Sequence, residues 1–176
     1  MKKLFIFALI SFLPLFFTGC GYTVSGSTLA SHIHTIHVEN FKNQITFGAE
    51  GRRNIYFPLV ELKARNAVID RFLFDGNLKI SEADTADLIL KGTLTRYFRR
   101  GLRFSDDEDT EEYRVYVVMS LELLNASGEV VWSEPDFSGD ATYFVSGSQA
   151  TSEESAVEAA IEDLARRIVE RTIEDW

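Results

Sequence analysis

A single cysteine, Cys20, occurs in the 176 residues. An exported chain with one cysteine cannot close an internal disulfide, so its stability must come from a packed core. Basic charge is in short supply, with 18 Lys and Arg against 27 Asp and Glu and a net charge of −9. A nucleic-acid binder needs a basic footprint, so this class is excluded. An acidic chain is also not drawn by charge to an anionic membrane surface. The sequence has no nucleophile elbow, phosphate loop, dinucleotide fingerprint or zinc-protease helix, which argues against an enzyme and against a bound cofactor. There is no internal repeat and no low-complexity tract. After Phe17 no apolar run is long enough to span a bilayer, which takes about 20 residues.

What is present begins with a leader. Met1-Lys2-Lys3 is basic, Leu4 to Phe17 is apolar apart from Ser11 and Pro14, and Thr18-Gly19 is small. This is the three-part order of a secretory signal over residues 1–19. The site Phe17-Thr18-Gly19-Cys20 is similar to a bacterial lipoprotein box, with Phe17 where Leu is usual. Cys20 is therefore expected to become the lipidated first residue of the mature chain. Two or three acyl chains hold far more firmly than one. Gly21 follows, and in the lipoproteins this resembles, an Asp there retains the chain in the inner membrane. Its absence implies sorting to the outer membrane, with the domain on the periplasmic side. Cleavage also removes Lys2 and Lys3, making the mature chain more acidic still.

Residues 20–31 read as the lipidated terminus and a short tether, and residues 32–176 as a single domain. With 45% hydrophobic and 26% charged residues the composition is globular. His32 to Val38 alternates as a strand with Ile36 and Val38 on one side. A long connection from Glu39 passes Arg52-Arg53 to Pro58. Leu59 to Phe74 predicts a helix with Val68, Ile69, Phe72 and Leu73 as apolar positions, stopped at Gly76. Leu78 to Ile80 is a short strand. Leu88 to Phe98 is a longer one, with Leu88, Leu90, Gly92 and Leu94 on one face. Tyr113 to Leu124 alternates most clearly, and Asn125 to Gly128 turns the chain back. Glu129 to Ser133 leads back, and after Glu134-Pro135 the stretch Phe137 to Val145 reads as another strand, either separate or continuous with the last through a bulge at Pro135. Thr151 and Glu154 suggest a capping box. The last helix, Ser152 to about Asp175, carries Val157, Ala160, Ile161, Leu164, Ile168 and Thr172 as one core stripe. The expected fold is α+β: a two-layer sandwich with both helices on one face of a mainly antiparallel four-stranded sheet.

Two constellations bear on chemistry. His32 and His34 share a face, but no Cys, Asp or Glu at ligand spacing completes a site, so no metal is expected. Arg96, Arg99, Arg100 and Arg103 precede the acidic run Asp106 to Asp109, Glu111 and Glu112. One reading is cross-strand ion pairs. The other is an arginine cluster that grips phosphate or carboxylate with its forked donors. The acidic run lacks the spacing and glycine of an EF-hand, although a cation in the 106–112 loop is not excluded by sequence.

The chain resembles the lipopolysaccharide-assembly lipoprotein family LptE. The likeness lies in Cys20-Gly21-Tyr22 with Gly26, Thr35 to Asn40, and Phe72 to Gly76. It continues in Asp87 to Tyr97, Gly139 to Phe144, and Glu153 to Trp176. The resemblance implies an outer-membrane lipoprotein that plugs a large β-barrel, LptD-like, assists its folding and handles lipopolysaccharide. Arg96, Arg99, Arg100 and Arg103 are then candidates for contact with lipopolysaccharide phosphates, an assignment made from charge. The competing expectation is a lipoprotein that reaches through the periplasm to regulate a cell-wall enzyme. A tether of about ten residues, about 30 Å when extended, favours work close to the membrane.

Overall fold

A computed structural model describes residues 29–45 and 59–174. The leader, Cys20, the tether as far as residue 28, the 46–58 connection with Arg52, Arg53 and Pro58, and residues 175–176 lie outside the described residues. Among the described residues eight elements follow in order: β1 (Thr35–Val38), β2 (Lys42–Asn43), α1 (Val60–Asp75), β3 (Lys79–Ile80), β4 (Leu88–Phe104), β5 (Thr110–Asn125), β6 (Val130–Phe144) and α2 (Glu153–Glu174).

They form a two-layer α+β fold, but the sheet corrects the expectation. It has six strands and is mixed, in the order β3-β1-β4-β5-β6, with β2 also paired to β4. β1 runs parallel to both β3 and β4, and β2 runs parallel to β4. The parallel pairing follows from α1, which carries the chain back along the sheet before β3 begins. Only β4, β5 and β6 form an antiparallel meander, and these three strands are long: 17, 16 and 15 residues.

Period-two burial explains the strands. Ile36 and Val38 in β1, Leu88, Leu90 and Leu94 in β4, and Val115, Val117, Met119, Leu121 and Leu123 in β5 all point into the core. β6 runs unbroken through Pro135. Phe137 pairs with Met119 and Glu134 with Leu121, so the extra residue of a bulge falls at 135–136, where a proline costs no ladder bond.

Both helices cover one face. α1 buries Val60, Ala64, Val68 and Phe72, spaced at four, and Gly76 ends it in the left-handed region with its N–H donated to the Phe72 carbonyl at 3.0 Å. Leu73, expected in the core, is 62% exposed, because it falls about 100° round the helix from Phe72. α2 buries the whole expected stripe, and the Thr172 hydroxyl enters the core by donating to the Ile168 carbonyl. Its cap is Ser152, whose Oγ accepts the Ser155 N–H at 3.1 Å, rather than the Thr151–Glu154 box. Thr151 instead donates its N–H to the Phe144 carbonyl.

α2 also guards the outer edge of the sheet. Asp163 accepts the Asp140 N–H at 3.2 Å, and Arg167 donates to the Ser138 carbonyl. A long edge strand would otherwise offer these groups to another chain.

Candidate functional site

Among the described residues both helices lie on one face of β4, β5 and β6 and leave the opposite face open, and two irregularities in β4 decide which arginines reach it. Up to Leu94 the even-numbered residues of β4 face the helices. Leu94 pairs with Met119, but Arg96 pairs with Val118, so Thr95 is an extra residue. Its hydroxyl donates to the Val118 carbonyl at 3.1 Å and fixes the bulge. Beyond it the faces exchange, and Tyr97, Arg99 and Gly101 face the helices while Arg96, Phe98 and Arg100 face outward. A second irregularity between Gly101 and Arg103 turns Arg103 outward beside Glu112.

The four candidate arginines are thus separated. Arg99 lies on the helix side. Its guanidinium donates to a Glu153 carboxylate oxygen and, at 3.0 Å, to the Tyr143 hydroxyl, and it sits 4.7 Å from the Tyr113 ring centre. Glu153 also accepts from the Tyr97 hydroxyl at 2.5 Å and the Tyr143 hydroxyl at 3.0 Å. The Glu153 side chain is 10% exposed and that of Arg99 is 33% exposed. Burial, then the bond to the Glu153 carboxylate, pushes the Tyr97 phenol far above its usual range. Burial also raises the Tyr143 phenol. Desolvation works against the Arg99 charge, but the Tyr143 bond and the Glu153 charge outweigh it and Arg99 stays cationic. The cluster ties the start of α2 to β4 and β6.

Arg96, Arg100 and Arg103 share the open face. Arg96 pairs with Asp136 at 2.6 Å. Arg103 approaches Glu112 at 3.8 Å and lies 5.4 Å from the Phe144 ring centre. Arg100 pairs in register with Arg114, so two cations face one another across the ladder. Arg114 turns to Asp140 at 3.4 Å, while its Nε makes no hydrogen bond. In the neighbouring row Phe98 and Tyr116 stack with ring centres 4.7 Å apart. At the far end a polar hollow of about 270 Å³ is lined by Arg103, Glu111, Phe144, Ser146 and Gln149. The surface therefore offers guanidinium donors beside flat apolar rings, which suits an anion carried on a larger, partly apolar body. Arg114, Phe98 and Tyr116 belong to it and were not singled out from sequence, because only the strand register brings them beside the arginines.

The remaining candidates lie apart from this face. The acidic run forms the β4–β5 turn, where Ser105 donates its N–H to the Asp109 carbonyl at 2.8 Å. Among the described residues no three His, Cys, Asp or Glu side chains converge as metal ligands would. The His34 N–H donates to Asp87, and His37 Nδ1 meets the Ser81 carbonyl at 2.9 Å.

Residues 33–173 match the family model LptE, described as lipopolysaccharide-assembly. Comparison with curated proteins gives no match. Several solved structures share the fold. A hypothetical protein from Chlamydia trachomatis superposes with a TM-score of 0.54 at 11% identity, over 80% of this chain and 95% of that one. A protein from Xanthomonas campestris gives 0.54 at 16% identity, over 80% and 84%. An uncharacterized lipoprotein B from Nitrosomonas europaea gives 0.51 at 13% identity, over 80% and 83%. At these identities the likeness speaks for the fold alone.

Proposed function

Because the chain belongs to the LptE family of lipopolysaccharide-assembly proteins, we propose that it is an outer-membrane lipoprotein, anchored through Cys20 on the periplasmic side. In this reading it seats in an LptD-like β-barrel and contacts lipopolysaccharide through the open face of its sheet. The observation that carries the proposal is the placement of Arg96, Arg100 and Arg103 on one exposed face, with Arg114 opposite Arg100. In this reading Arg99, committed to Glu153 and Tyr143, takes no part in the contact.

Length supports the plug. At about 3.3 Å per residue, β4 spans about 50 Å, more than the bilayer's hydrocarbon thickness of about 30 Å. Residues 29–34 enter at the Leu88 end of β4, since Ile36 pairs with Leu88. The arginines lie in the other half. A chain held near one leaflet would thus carry them toward the opposite one. The charged outer surface suits a polar barrel lumen.

Extraction of the tagged protein from outer membranes in mild detergent, followed by mass spectrometry of what stays bound, tests the partner. A stoichiometric large β-barrel is the expected result. Recovery of a cell-wall synthase would favour the regulatory reading instead.

A further inference from the structure

We propose that, before the domain seats in a barrel, Leu73 and Phe74, with Arg71, form a lipid-facing foot that rests on the leaflet holding the chain's own acyl anchor. The proposal rests on lipidation at Cys20 and extends it to a second membrane contact made by the folded domain. Leu73 is 62% and Phe74 81% exposed, the most open of the large apolar side chains on α1. Their place in the fold points to the membrane. α1 ends at Asp75, β3 follows, and the Lys79 N–H donates to the His34 carbonyl at 2.9 Å. His34 lies just inside the point where the described chain begins, at Leu29. The foot is therefore at the end of the domain from which the tether leaves. Eight residues separate Cys20 from Leu29, a reach of about 30 Å at most. Such a short link holds the foot at an effective concentration on the order of millimolar, so a weak contact suffices.

The chemistry fits an interface rather than a protein groove. The Arg71 guanidinium lies 5.3 Å from the Phe74 ring centre, and its Nε is buried without a hydrogen-bond partner. A ring at the acyl boundary with a cation above it at phosphate level is how amphipathic side chains sit in a bilayer surface. Phe74 and Arg71 themselves line a groove between α1 and α2, about 670 Å³, together with three alanines and the charged Asp70, Glu162, Asp163 and Arg166. An apolar segment of another protein would have to desolvate those charges. The acidity of the chain disfavours anionic lipid, so the leaflet it fits is zwitterionic, rich in phosphatidylethanolamine.

The full-length lipidated protein carrying Phe74→Cys is labelled with a nitroxide and placed in phosphatidylethanolamine–phosphatidylcholine vesicles. Cys20 is blocked by its thioether, so the new thiol alone reacts, and Phe74 is too exposed for its loss to unfold the chain. Collision with oxygen, relative to collision with a water-soluble nickel chelate, should rise several-fold over the same ratio for Phe104→Cys at the hairpin end. Equal ratios at the two positions in vesicle-bound protein would overturn the foot while leaving the anchor intact. Burial that appears only after a β-barrel partner is added would assign the patch to that partner and also overturn it. A mass lacking the diacylglyceryl addition would overturn the anchor reading itself.

Discussion

Arg100 and Arg114 occupy directly opposed positions on neighbouring strands of the open face. Like charges so placed cost a fraction of a kcal/mol. Asp140 relieves Arg114 from one side, and the remaining repulsion is what a bound anion would remove. Replacing Arg100 with Thr, a good strand former, should raise the unfolding free energy by about 0.5 kcal/mol in urea titration. The same change should weaken lipopolysaccharide binding. A variant that loses both stability and binding would mean Arg100 is structural.

Glu153 and Arg99 make the opposite case. Glu153→Gln removes the charge that holds Arg99 and accepts from two tyrosines, and should cost about 2–3 kcal/mol, as for buried bonds to charged groups. The check is the urea midpoint. Lipopolysaccharide affinity of the fraction that remains folded should be unchanged, because this cluster faces the helices.

Gly139 fixes how closely α2 approaches the sheet. A Cβ there would lie 2.3 Å from the Ala160 carbonyl oxygen and 2.5 Å from the Leu164 nitrogen. Both are backbone atoms of a rigid helix, so Gly139→Ala should destabilise by about 3 kcal/mol through forced displacement. Gly76→Ala meets nothing within 4 Å but keeps a φ of 78°, and should cost only about 1 kcal/mol. Thermal melts of the two variants separate the mechanisms.

Asp87 joins β1 to the start of β4. Its carboxylate accepts the His34 N–H at 2.8 Å and both the Thr35 N–H and hydroxyl. The His34 bond, then the Thr35 hydroxyl, hold its pKa below the ordinary 3.8. A depressed carboxylate stabilises the fold above its unfolded pKa, and that contribution is lost as pH falls through the folded value. Asp87→Asn should therefore melt below the native protein at pH 7. The gap should close only below about pH 3.8. A gap that stays constant down to pH 2 would show that the charge is not involved.

Much of the fold was legible where one rule acts alone. The alternation of Val115 to Leu123 and the stripe from Val157 to Thr172 each name their buried face, and Pro135 marks its bulge because proline has no N–H to lose. α1 was ambiguous for a physical reason. It has apolar residues on two sides, and only the sheet selects Val60, Ala64, Val68 and Phe72 over Leu62 and Leu73. The parallel strands were not legible, since Thr35 meets Asp87 from 52 positions away. For the site, the sequence offered four arginines as one cluster. The bulge at Thr95 divides them, and no residue type announces it, because a Thr in an ordinary strand and a Thr that donates to Val118 read alike.

Direct binding to purified lipopolysaccharide by two variants tests whether Arg96, Arg100 and Arg103, and not Arg99, meet it. Arg96, Arg100 and Arg103 replaced together by Ala should weaken binding by about ten-fold or more, the equivalent of about 1.4 kcal/mol, through lost charge-assisted bonds. Arg99→Met, once shown to be folded, should bind as the native protein does. Undiminished binding by the triple variant, or an equal loss in Arg99→Met, would contradict the account.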